Sequence, residues 1–117
     1  MIKDEAFILK ENIQNFLKSA NIIYNSGDFT SATILYFKCL FAVLDLIILK
    51  NQGKVPKDHS ERFKILEKNY PSFYELLDKL YSLYRDTYSL KINKENCLRV
   101  RLNVERIIKE QKIFEDY

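Results

Sequence analysis

Apolar residues return at steps of three and four from the start of the chain. Ala6, Leu9, Ile13, Phe16, Leu17, Ala20, Ile23 and Tyr24 form one stripe with charged and amide residues between them. That is the period of a helix buried along one face, and it predicts a helix over residues 3–26. Gly27 can take the left-handed conformation that closes a helix, and Asp28 can accept the first free N–H groups of the next. "SGD" therefore reads as a tight corner between two antiparallel helices.

The next stretch follows a different rule. "ILYFKCLFAVLDLIIL" is apolar nearly all the way round, so a helix over residues 29–51 should be enclosed on most sides. A bundle of short helices should hide such a helix only partly, which predicts a homodimer or a partner that covers the remainder. Lys38 and Asp45 interrupt the run seven residues apart, on one face but roughly 10 Å apart along the axis. Each is expected to face solvent or to find a partner on another segment, because an unpaired buried charge is costly.

"NQGKVPKDHS" reads as a loop with Gly53 and Pro56 as stops. Asp58 and Glu61 have capping-box-like spacing ahead of a short helix, "ERFKILEKN". A fourth helix should open at "YPSFYE", with Pro71 in its first turn and Ser72 three residues before Glu75, and run to about residue 89. Its buried face is Phe73, Leu76, Leu77, Leu80, Leu83, Tyr84 and Thr87. Asn93 can cap a fifth helix whose stripe is Cys97, Val100, Val104, Ile107, Ile108 and Phe114. The pattern predicts an all-α, up-and-down bundle of four long helices plus one short helix, as a single domain over residues 1–117.

Composition agrees. Hydrophobic residues make up 47% and charged residues 30% of 117 residues, which argues against disorder. Two glycines and two prolines are too few turn-formers for a many-stranded sandwich or barrel. The net charge of +3 is unevenly spread, with basic clusters in the middle and the C-terminal third. Both clusters are interleaved with acids, and read as solvated helix faces or as a phosphate-facing patch. Cys39 and Cys97 lack paired spacing and read as small buried hydrophobes in a reducing compartment. The acidic start "MIKDEAF" is unlike a signal peptide. Residues 34–49 are shorter than the ~20 residues of a membrane span and carry two charges, so no membrane role and a cytoplasmic location are expected.

Chemistry is sparse. There is no glycine-rich phosphate loop, and no metal or other cofactor is expected. His59, the single histidine, lies in a polar loop between Asp58 and Ser60, and three adjacent residues do not make a triad. The notable stripe is in "KLYSLYRDTYSLKI", where helical spacing aligns Asp78, Tyr81, Arg85 and Tyr88. One reading is a packing seam in which Arg85 bridges to Asp78 or Asp45. The other is a guanidinium flanked by phenols that holds a phosphate or stacks on a base.

The arrangement as a whole resembles a HEPN domain. "YNSGDFTSATILYFKCLFAVLDLIILKNQG" is similar to the first half of that family's bundle, "KVPKDHSERFKIL" to its following loop and short helix, and "LYSLYRDTYS" to its later helix. The likeness spans roughly residues 13–108. It implies a small dimeric helical bundle that binds RNA or a nucleotide, or that pairs with a minimal nucleotidyltransferase in a toxin–antitoxin-type system. Nuclease members of the family carry an arginine and, after four to six intervening residues, a histidine. Arg85 matches the first element, but Leu90, Lys91 and Ile92 occupy the second. Proton transfer near neutral pH needs such a group, and a phenol with a pKa near 10 is a poor replacement. A non-catalytic module is therefore expected. The alternatives are a diverged ribonuclease using Arg85 with Tyr88 or an imported His59, and a structural module that docks another helical protein.

Overall fold

A computed structural model describes residues 2–115, so Met1, Asp116 and Tyr117 of the expected domain lie outside the described residues. Five helices and no strand occur among them: α1 (Ile2–Ser26), α2 (Phe29–Gln52), α3 (His59–Asn69), α4 (Pro71–Asp86) and α5 (Lys94–Glu110). The corner at Gly27 forms as its chemistry dictates. Gly27 has φ +92°, in the region that disfavours a side chain, and the Asp28 carboxylate accepts from Ser31 N–H at 3.1 Å. The chain reverses there. Tyr36 then donates its hydroxyl proton to Asn21, and Cys39 faces the carbonyl of Ile13. Partners that ascend α2 while descending α1 are the mark of antiparallel packing.

α2 is the axis of the molecule. Every residue from Cys39 to Leu49 is buried within this single chain, none more than 8% exposed. The expectation that α2 would stay partly uncovered is overturned, and α2 no longer argues for a covering subunit. Its neighbours are longer and bulkier than a bundle of short helices would supply. The 25-residue α1 runs back along one side, α5 packs Cys97, Val100, Val104 and Ile107 on another, and the rings of α3 and α4 close the third. α2 is also long and apolar enough to cross a membrane, contrary to the length argument from the sequence, but 83% of its apolar window is buried inside the fold. That is how the central helix of a bundle reads.

Asp58 and Pro71 open α3 and α4 as expected, and three details differ. α3 begins at His59, which is therefore a helical residue: Asp58 caps it by accepting from Glu61 N–H at 2.8 Å. α4 starts at Pro71 with Tyr70 as an uncapped first boundary, so Ser72 lies inside the helix. The same helix stops at Asp86, short of residue 89. Thr87 turns its hydroxyl onto the Tyr84 carbonyl at 2.6 Å, and Tyr88 N–H bonds Arg85 in a tighter i→i+3 turn at 3.2 Å.

The end of α5 follows the same logic. Lys112 sits at φ +52° and Ile113 N–H reaches back to the Ile108 carbonyl at 3.0 Å, closing the helix in a Schellman-type turn. That turn buries Ile113 and leaves Phe114, expected in the stripe, 40% exposed.

Candidate functional site around Lys38, Arg62 and the α4 tyrosines

Each helix on one side of α2 contributes residues from a single face. Lys38, Phe41 and Asp45 recur at steps of three and four on α2, His59 and Arg62 at a step of three on α3, and Tyr81, Tyr84 and Tyr88 at three and four along α4 and its terminal turn. Asp58 fixes where α3 starts and so fixes the facing of both His59 and Arg62.

The sequence left Asp45 in need of a partner, and Arg62 is that partner. Its Nε donates to Oδ1 at 2.7 Å and its Nη2 to Oδ2 at 3.0 Å, with both residues less than a tenth exposed. This forked geometry is the strong form of an arginine–carboxylate pair. The guanidinium carbon lies 4.8 Å over the ring of Phe41. Its remaining nitrogen, Nη1, is 2.6 Å from Nδ1 of His59. A guanidinium has only donors, so Nδ1 must supply the lone pair, and the ring proton is assigned to Nε2. Burial, followed by the charge of Arg62, lowers the pKa of His59 below its ordinary value. Among the described residues no buried side-chain nitrogen or oxygen lacks a partner, so Nε2, which has none, reaches solvent.

Aromatic rings surround this network. His59 stands edge-on to Phe41 at 4.7 Å and lies 6.0 Å from Tyr81 and 5.9 Å from Tyr84. Tyr84 meets Phe41 at 5.2 Å, nearly perpendicular, and Phe37 at 5.3 Å. The Tyr84 and Tyr88 hydroxyls meet across a long 3.5 Å contact in which either can donate. That bond, with burial second, pushes the Tyr84 phenol up to about 12, so it stays uncharged.

Two shallow grooves, each of about 240 Å³, open beside the cluster and share Lys38. One lies between α2 and the end of α4, lined by Ile34, Lys38, Tyr84, Thr87 and Tyr88. The other lies between α1 and α2, lined by Leu9, Asn12, Phe16, Lys38, Phe41, Ala42 and Asp45. Lys38 is exposed and makes no ion pair among the described residues.

The expected stripe is only partly assembled. Tyr81 is half-buried, 5.0 Å from Phe63, as a packing residue. Arg85 is exposed, with its guanidinium 6.0 Å from the Tyr81 ring, and the bridge to Asp78 or Asp45 is not made. Asp78 is exposed. Tyr88 lies past the helix end and is 78% exposed. His59 is carried to α4, as an imported histidine would have to be, but it meets Tyr81, Tyr84 and Arg62 and makes no contact with Arg85 among the described residues. Sequence reasoning missed Arg62 and Lys38 as site residues. The signal for Arg62 was the lone acid in an apolar helix; for Lys38 it was the one base inside the apolar run 34–49.

The basic residues of α5 are largely engaged with their own helix. Arg101 pairs with Glu105 at 3.3 Å and lies 4.9 Å over Tyr24, and Arg106 pairs with Glu110 at 3.1 Å. The cysteines are free and buried, and burial pushes the Cys39 thiol up to about 12. Compared with known proteins, the chain matches no family model, no curated protein and no solved structure.

Proposed function

We propose that this chain is a cytoplasmic, HEPN-like module of four long helices and one short one that binds RNA or a nucleotide without cleaving it. The observation that carries this reading is the groove between α2 and α4. There the uncompensated ammonium of Lys38 shares one cleft with Tyr84 and with Tyr88, whose ring is open to solvent. A cation beside an exposed aromatic face suits a phosphate next to a stacked base. The anion contact thus moves from Arg85, favoured by the sequence, to Lys38.

Two features argue against cleavage. The Nδ1 lone pair of His59 is engaged by Arg62, and Tyr84 holds its proton well above neutral pH. Neither is ready to take a proton from a ribose hydroxyl. A homodimer and a minimal nucleotidyltransferase partner rest on the HEPN resemblance alone, since the sheathed α2 no longer calls for a covering subunit.

Fluorescence anisotropy with short single-stranded RNA tests the proposal. Tyr88→Ala should weaken binding by about 1–3 kcal/mol, the worth of one stacked base. Lys38→Ala should weaken it and flatten its dependence on salt. Arg85→Ala should change little, and the RNA should stay intact. Salt-insensitive binding, or none at micromolar protein, would remove the nucleic-acid reading.

A further inference from the structure

The ion pair, the imidazole and the tyrosines form a chain from the buried side of α2 to the open groove. We infer that His59 is a proton-operated latch on that groove: one proton on its ring breaks the contact with Arg62 and releases Tyr84. The link to a ligand rests on the nucleic-acid reading above; the latch does not.

The contact between Arg62 Nη1 and His59 Nδ1, at 2.6 Å, exists only while Nδ1 holds a lone pair. Protonation would set N–H against N–H and cation against cation. One of the two groups must then move. Arg62 is pinned, because two of its nitrogens bind the Asp45 carboxylate at 2.7 and 3.0 Å in a place nearly closed to water. Moving it would strand a buried carboxylate. His59 has more freedom, since it is only half-buried and is the first residue of α3. The ring is therefore the part that yields.

The surroundings do not favour holding the proton in place. From α2, Lys38 and Asp45 face the ring; from α3 and its cap, Arg62 and Asp58; from α4, the phenols Tyr81 and Tyr84. Asp45 is committed to Arg62, and Asp58 to the N–H of Glu61. The cations Arg62 and Lys38 oppose the added charge. When the ring leaves, Tyr84 loses its edge contact with His59, and Tyr84 is the wall shared by the aromatic cluster and the groove. Groove shape thereby becomes a function of pH.

Because His59 is the sole histidine, nitrogen-15 NMR of the full chain gives a single imidazole to follow. At about pH 7.5, a unit above the ordinary histidine value, the ring should carry its proton on Nε2. Its titration midpoint should fall below about 6.5. The Tyr84 ring signals should move with that same midpoint. In His59→Gln, whose amide oxygen can accept from Arg62 without titrating, they should stay still. A proton on Nδ1, a midpoint at or above the ordinary value, or Tyr84 signals indifferent to the titration would each overturn the latch. RNA titrations on the same sample keep the two readings apart: a protein that passes the NMR test but binds no RNA retains the latch and loses the nucleic-acid function.

Discussion

The two sides of α2 are built by different rules. Toward α1 and α5 it packs against Ile13, Ala20, Cys97, Val100 and Val104, all fully buried. Polar atoms there are few and neutral: Thr33 bonds the Phe29 carbonyl one turn back at 2.7 Å, and Tyr36 bonds Asn21 across to α1. Toward α3 and α4 the same helix meets a buried ion pair, an imidazole and a crowd of rings, then opens at Lys38. The closed side depends on shape, with small side chains that let α1 and α5 approach. The other depends on electrostatics, where each group is acceptable only because of the next. Function is expected on the second side, because there the imidazole, the phenols and Lys38 are held next to open space.

Damaging each side once should have very different consequences. Asp45→Ala leaves Arg62 charged and unpaired in the interior, and should lower stability by about 3–5 kcal/mol. Ile13→Val removes one methylene from the closed side and should cost about 0.5–1.5 kcal/mol. Urea unfolding of both variants measures the gap. Equal losses would mean that the charge pair is hydrated in solution and that the two sides do not differ as described.

How much of this was legible in the sequence follows the range of each interaction. The Gly27–Asp28 corner, the Asp58 and Asn93 caps and the α1 stripe are set by residues within a turn of one another, and each forms as read. The all-helical fold follows from such patterns. Asp45 announced only a need; its partner is 17 positions away, and no local pattern links the two. Arg85 attracted attention as the charge among tyrosines, yet among the described residues its guanidinium meets the Tyr81 ring and no acid. Coverage of α2 was misjudged because it depends on how four other helices assemble around it. Tyr88 left the stripe because Thr87 hydrogen-bonds back onto α4 and ends it, a competition that periodicity does not record.

A second, smaller effect separates the two sides by pH. In the unfolded chain His59 takes up a proton at its ordinary value, near 6.5. In the folded protein burial and Arg62 hold its pKa lower. Between the two values the unfolded chain binds more protons, so stability must rise with pH across that window. Its contribution is fully present above the unfolded value and is lost as pH falls toward the folded one. Denaturation midpoints should therefore drop on mild acidification in the wild type, and drop less in His59→Gln. Identical pH profiles for the two proteins would mean that His59 is not held neutral by the fold.

The smallest expected effect belongs to the same chemistry moved into water. Arg106 and Glu110 on α5 approach to 3.1 Å, little farther than Arg62 and Asp45, but each side chain is about half exposed. Water screens their attraction and leaves both side chains most of their freedom, so such a pair is worth about 0.3–0.5 kcal/mol. Glu110 is also the last residue of α5, where the unpaired carbonyls of the helix end repel a carboxylate. Losing the pair and relieving that repulsion oppose each other. Glu110→Ala should therefore change stability by less than about 0.5 kcal/mol, and any change should shrink further in molar salt. A loss approaching that of Asp45→Ala would show that separation alone governs these pairs. The contrast drawn between the two sides of α2 requires instead that burial decide what an ion pair is worth.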